Sequence, residues 1–433
     1  MHHLRHKSII ALCVILAVLY FSSDFALIDI EDTAIVVAMG IDKTQDGFEV
    51  SAQIGLPQAT QQTSNNNDTI ISAKGKTVMD AVELLGTQTG WHPKLAFCNL
   101  IILGKDLSTQ DITTLTDNLL SSEKIQNSAM LAFSETSAKD VLTAVTPLDA
   151  ISSFAIQKIL LKNDRTLSTV ADINVKNFAL LNHGRGNWGY MPIIRIVKGS
   201  IEGQESGGAG KTSDVFDDKT LLLTEKQPDN RPIAPLLSLN DNTAASNLSS
   251  GEGGSDSSSG SGQKKENVVF DAAYTALFSN GYLVDYLTPE ETVCYNLLNS
   301  PSDQILLKSQ VGDTIVMLEV FGTRKKIRLD YAVKPTIKLE LKINVRFSDS
   351  TKDISGESLG RQATVPREYC AALENALTKT LTDMTLRAYK KGVDLFDVRE
   401  LTYRHYNKQF NDLKNLPLTS FVPQVDIKVS SKD

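Results

Sequence analysis

Three stretches of this 433-residue chain carry side chains in patterns that could do chemistry. Gly356-Glu357-Ser358-Leu359-Gly360 spells G-x-S-x-G, and Asp383 and His405 follow in the order in which an α/β-hydrolase places nucleophile, acid and base. That chemistry requires a buried strand running straight into the first glycine and a helix starting at the serine. Here SDSTKDIS precedes and RQATVP follows, so the segment reads as a solvated loop and no nucleophile elbow is expected. Gly207-Gly208-Ala209-Gly210-Lys211-Thr212 resembles the end of a phosphate-binding loop, but Glu205 stands where the first glycine belongs. No helix-forming run follows Thr212, so the amides and dipole that would cradle a phosphate are missing. His183 to Tyr190 (HGRGNWGY) could offer Arg185, Trp188 and Tyr190 to a ligand or partner, though a boundary loop whose aromatics pack on the adjoining domain is the simpler expectation.

Metal and thiol chemistry find little support. His2, His3 and His6 precede an apolar run, while His92, His183 and His405 stand without a second ligand at helical or loop spacing. Cys98, Cys294 and Cys370 are odd in number and far apart, so neither a closed disulfide framework nor a zinc knuckle is expected. The formal net charge of −7 argues against a sequence-independent nucleic-acid binder, which needs Lys and Arg concentrated on phosphates. The expectation is a chain with no catalytic residue, no metal and no cofactor.

The elements that would position any site fall into segments. Basic Arg5 and Lys7, then an unbroken apolar run from Ile9 to Phe21, describe an N-terminal signal-anchor over residues 1–28, with the bulk of the chain on the extracytoplasmic side. Cys13 follows Leu12 rather than a small residue, so it reads as an apolar member of the anchor and not as a lipidation site. Residues 29–198 alternate strand and helix signals. Ile35–Met39 and Phe48–Leu56 form a hairpin around Lys43–Gly47. A helix behind Thr77 stops at Gly86, a buried strand spans Leu95–Leu103, and helices at Thr109–Leu120 and Ser137–Val145 flank a strand at Ser128–Phe133. PIIRIV, Pro192–Val197, closes this domain. Residues 199–266 are expected to form a disordered Gly/Ser-rich linker or insertion: Ser250–Gly262 has eleven Gly or Ser in thirteen positions.

Residues 267–335 make a middle subdomain with a hairpin about Ser279-Asn280-Gly281 and a helix capped by Thr288, Pro289 and Glu291. Residues 336–433 form the C-terminal domain. In it Ile337, Leu339, Leu341, Ile343, Val345 and Phe347 alternate with polar residues, giving the clearest strand in the chain. Cys370, Leu373, Leu377, Leu381, Met384 and Ala388 recur at helical steps. A second helix covers about Asp397–Lys414, and a last strand carries Val425, Ile427 and Val429. The fold class is α+β or mixed α/β, with two to three domains whose helices pack on mixed sheets.

Several stretches in order resemble one family, the Ger(x)C proteins, C subunits of spore germinant receptors. They are EDTAIVVAMGIDK (Glu31–Lys43), SAKGKTVMDAVELL (Ser72–Leu85), PKLAFCNLIILGKDL (Pro93–Leu107), SAKDVLTAVTPLDAI (Ser137–Ile151), GYLVDYLTPEETVCYNLL (Gly281–Leu298) and GVDLFDVRELTYRHY (Gly392–Tyr406). The resemblance implies a non-enzymatic, membrane-attached subunit on the outer face of the spore's inner membrane. It implies as partners a polytopic transporter-like subunit and a second membrane subunit, with nutrients as the trigger. Family members usually carry a lipidated cysteine before the segment matching Glu31. This chain has Ala26, Leu27 and Ile28 there, so a transmembrane anchor takes the place of the lipid.

Four matched residues are the first candidates for an interface or a structural motif. Gly40 would make a left-handed turn, Asp42 would be a turn acceptor, and Asp394 and Phe396 come from the DLFD motif, Phe396 as core. The alternative is an extracytoplasmic solute-binding or envelope-remodelling module unrelated to germination. An extracytoplasmic hydrolase using Ser358 is the third reading.

Overall fold

The computed structural model describes residues 12–15, 33–55, 70–146, 149, 151–161, 170–198, 268–299, 305–331, 334–351 and 365–431. The Gly/Ser-rich stretch, the GGAGKT motif, Ser358 and most of the expected anchor lie outside these residues. Among those described, no helix is long and apolar enough to cross a membrane. Residues 12–15 form a helical turn with Cys13 exposed.

The described strands assemble into two sheets of mixed orientation. In the first, β1 (Thr33–Lys43), β5 (Leu100–Leu103), β6 (Met130–Ser134) and β7 (Trp188–Lys198) run parallel. Antiparallel pairs extend it on both sides: β2 (Phe48–Ile54) and β3 (Ile70–Gly75) beyond β1, and β8 (Val268–Ser279) and β9 (Tyr282–Leu287) beyond β7. A short β4 (His92–Lys94) pairs with the first residues of β1. Parallel strands are buried on both faces, and β5 reads accordingly as LIIL. Ile101 and Leu103 join the core under α1 (Val78–Thr89), α2 (Thr113–Ser121) and α5 (Val175–Asn182). Leu100 and Ile102 join the opposite core under α3 (Ala138–Thr143) and α4 (Ser152–Leu161).

The second sheet runs β10 (Ile305–Val311), β11 (Thr314–Asp330), β12 (Thr336–Ser350) and β13 (Val422–Ser431). Period-two alternation in β12 buries Ile337, Leu339, Leu341, Ile343 and Val345 and turns Lys342 and Arg346 to solvent. Against the buried face lies α7 (Arg367–Lys390), about 36 Å long at 1.5 Å per residue. Leu373, Leu377, Leu381, Met384 and Ala388 form its buried stripe. Full burial of each large apolar side chain contributes about 1.5 to 3 kcal/mol. The helix ends in a Schellman arrangement: Gly392 takes φ 79, Val393 N–H donates to Ala388 O at 2.9 Å and Gly392 N–H to Tyr389 O at 3.1 Å. α6 (Pro289–Asn299) begins in a capping box, with Thr288 N–H donating to Glu291 Oε2 at 3.0 Å and Glu291 N–H to Thr288 Oγ1 at 3.4 Å.

Several local expectations shift. The first helix runs through Gly86 to Thr89 and stops at Gly90, which holds φ 75 and donates to Gly86 O. A side chain at Gly86 would press on Pro93, so that glycine serves close approach to β4. The Leu95–Leu103 strand is shorter, because β1 offers β5 partners only from Ala38 to Ile41. Leu95–Phe97 form a 3-10 turn and Cys98 is buried just before the strand. The C-terminal helix divides into α8 (Val398–His405), a 3-10 turn and α9 (Phe410–Leu413). β7 does not close the sheet, since β8 and β9 continue it. Residues 267–335 therefore contribute to both sheets.

Candidate functional site

The four motif residues fall in two places, each organised by a buried carboxylate. At the end of β1, Asp42 is buried and accepts the N–H groups of Ala138 at 2.7 Å and Lys139 at 3.0 Å. These are orphan donors in the first turn of α3, which the carboxylate satisfies from 96 residues away. Asp42 is therefore a long-range helix cap and not a local turn acceptor. Burial raises its pKa, and the two amide hydrogen bonds offset part of that. Gly40 is not in the left-handed region; it lies within β1, where a Cβ would sit 3.0 Å from Ala138 Cβ and 3.1 Å from Leu142 Cδ1. Its missing side chain lets α3 lie on the strand. Gly104 completes the arrangement, because a Cβ there would fall 1.8 Å from Asp42 Oδ1. Gly104 has φ −74, so any penalty is steric. Gly104→Ala is expected to dislodge the carboxylate and cost about 2 to 3 kcal/mol, read from the denaturant midpoint. A midpoint equal to that of the wild type would show that α3 does not depend on this cap.

The second place joins the two sheets. Asp394 is fully buried and accepts from Val398 N–H at 2.7 Å and Arg399 N–H at 2.9 Å, capping α8 as Asp42 caps α3. Burial pushes its pKa up to about 6, against the pull of those two bonds. Asp397, at φ 52, accepts the indole N–H of Trp188 at 2.9 Å, and burial likewise raises its pKa. Trp188 is only 2% exposed and begins a column of rings: Tyr190 at 5.9 Å, then Tyr295 at 5.4 Å from Tyr190, then Phe396 at 6.3 Å from Tyr295. Gly186 has room only for hydrogen, since a Cβ would meet Trp188 Cδ1 at 2.8 Å and Asp394 Cβ at 2.9 Å. Arg185 stacks on Tyr403 at 3.5 Å and pairs with Glu400 at 3.1 Å. The HGRGNWGY loop thus packs between the sheets and spends its aromatics and its arginine there.

Sequence reasoning missed the ion cluster beside this junction. Arg387 of α7 donates to both carboxylate oxygens of Glu291 at 2.7 Å, to Asp285 Oδ2 at 2.8 Å and to Tyr286 O at 3.0 Å. Burial would lower the pKa of the guanidinium, but the bonds and charges of Glu291 and Asp285 reverse this and raise it. Glu291 was legible as a helix cap; that it also meets a residue 96 positions away was not.

Among the described residues no group of three His, Cys, Asp or Glu side chains could hold a metal. Asp383 is exposed on α7 and His405 is exposed at the end of α8, on separate helices. His183 pairs with Asp117 at 2.7 Å. Burial pushes the Cys98 thiol up to about 12 and raises Cys294 and Cys370, far from the thiolate that nucleophilic or metal chemistry needs. An apolar cavity of about 530 Å³ opens between α6, β10 and α7, lined by Val293, Cys294, Leu307, Leu373 and Leu377.

Residues 27–196 match the sequence model of the spore germination protein N-terminal domain, and residues 273–432 that of the spore germination B3/GerAC-like C-terminal domain. Spore germination protein KC of Bacillus subtilis (strain 168) is 23% identical over 445 residues, covering 98% of this chain and 94% of that protein. Putative spore germination protein YfkR of the same organism is 23% identical over 209 residues, spanning 46% of this chain and only 52% of its own length. The crystal structure of the GerBC protein superposes with a TM-score of 0.46 and 12% identity, over 94% of this chain and 100% of that one.

Proposed function

Since the chain belongs to the Ger(x)C family of spore germination proteins and carries both of that family's domains, we propose that it is a non-enzymatic, extracytoplasmic subunit of a germinant receptor complex. It is tethered through its N-terminal apolar run and works by contact with a polytopic transporter-like subunit and a second membrane subunit. The observation that carries this reading is how the candidate chemical groups are used. Asp42 and Asp394 cap helices, Trp188 and Arg185 hold the sheets together, and Glu291 and Asp285 neutralise Arg387. Side chains committed in this way build a rigid body that can transmit contact and are not free to turn over a substrate.

Affinity purification of the tagged full chain from detergent-solubilised spore membranes tests this. Recovery with a multi-span membrane protein, and loss of nutrient-triggered germination in spores lacking the chain, is the expected result. Recovery alone from the soluble fraction, with germination unchanged, would sink the proposal.

A further inference from the structure

The first lobe leaves three large apolar side chains open at one end: Ile35 is 42% exposed, Trp91 47% and Phe97 55%. Strand pairing shows that they share this end. β4 runs parallel to the first residues of β1, with Thr33 beside His92 and Ile35 beside Lys94. Trp91 therefore stands one step before the level of Thr33, and Phe97 follows in the turn that leads on to Asn99, whose N–H donates to Val37 O at 3.2 Å. Because β4 lies off the main strand order, these residues form a ledge beside the start of β1.

The chain reaches that ledge from its most apolar stretch. Residues 22–32 separate Phe21 from Thr33, a reach of at most about 40 Å even when fully extended. Within the stretch, Leu12, Val14 and Ile15 of the described helical turn are 58%, 56% and 57% exposed. Side chains of this kind seek an apolar solvent. A body held on so short a lead from such a segment keeps one end against the same boundary.

The ledge has the composition that suits this boundary. An indole prefers the headgroup layer, where its ring is shielded and its N–H stays wet. Phe97 and Ile35 offer apolar surface, and exposed Lys94 can hold its ammonium among phosphates. We propose that Ile35, Trp91, Lys94 and Phe97 seat the N-terminal lobe on a phospholipid bilayer, which fixes the orientation of both sheets above it. This rests on the tethered reading given under Proposed function.

The chain has two tryptophans, and the other, Trp188, is buried and bonded to Asp397. The full chain is reconstituted into phospholipid vesicles and its emission compared with and without brominated acyl chains, which quench only an indole close to them. The expected result is co-flotation with the vesicles, with bromine-dependent loss of emission that disappears in Trp91→Phe while flotation persists. Co-flotation with emission indifferent to bromine, or quenching retained in Trp91→Phe, overturns the ledge and leaves the tether standing. Failure to float overturns the tether and the ledge together.

Discussion

Arg387→Ala is expected to lower the unfolding free energy by about 3 to 5 kcal/mol. The arginine side chain is itself 39% exposed, but its partners are not: Asp285 and Glu291 have side chains 12% and 11% exposed. Removing the guanidinium leaves two carboxylates close together in a poorly hydrated space, each having lost its charged donor. Their desolvation, already incurred on folding, is then uncompensated. Arg387→Lys keeps the charge but cannot reproduce the paired bonds to Glu291, and about half the loss should remain. Arg387→Met with Glu291→Gln removes most of the stranded charge and should recover stability relative to Arg387→Ala. Urea denaturation of the three variants decides the matter. A loss under about 1 kcal/mol for Arg387→Ala would show that water screens the cluster as it does an ordinary surface pair.

Asp394 provides the second large effect, and its signature is in pH. The carboxyl has a folded pKa of about 6 against an ordinary 3.8, so the folded chain holds the proton more tightly than the unfolded one. Its contribution to stability is therefore greatest below about pH 4 and is lost as pH rises through 6. Asp394→Asn removes this titration. It also leaves only one acceptor for the two N–H groups of Val398 and Arg399, with an amide NH₂ facing the other. A loss of about 2 kcal/mol at pH 7 is expected. The gap between wild type and variant should then widen by about 1 kcal/mol at pH 5 and about 2 kcal/mol at pH 4. Carboxylates remote from the junction titrate alike in both proteins and cancel in the difference. A gap that narrows on acidification would mean that the two amide bonds outweigh burial, giving a carboxyl that prefers to be charged.

Local features were readable in the chain, and long-range pairings were not. The β12 alternation, the α7 stripe, the Thr288–Glu291 box and the Asn280-Gly281 turn, observed at φ 51 and 79, each depend on neighbours a few positions away. Membership of the family was legible from six ordered segments. The division of residues 267–335 between two sheets was not, because nothing in the local sequence of β9 or β10 assigns either strand to a sheet. Asp42 and Asp394 stood out as motif residues, yet their shared role as helix caps emerges only when the chain brings α3 to β1 and turns α8 back on the DLFD segment. Gly86 and Gly90 show the same limit. Either could end a helix, and Pro93, on a strand formed elsewhere, favours continuation past the first.

The pairing of β7 with β8, from Trp188–Ser279 to Lys198–Val268, crosses the interval between the family's N-terminal and C-terminal regions. The conventional partition of such chains into two modules therefore divides a hairpin. A polypeptide severed after Lys198 would end in a naked strand edge, carrying the apolar Met191 and Ile194, that has lost its β8 neighbour. Such an edge recruits other copies, so the severed halves should precipitate or dimerise. Lys198 and Val268 lie side by side, and whatever length of polypeptide joins them is a closed excursion. Each doubling of it costs only about 0.6 kcal/mol, which leaves related genes free to vary its length while the sheet beneath stays intact.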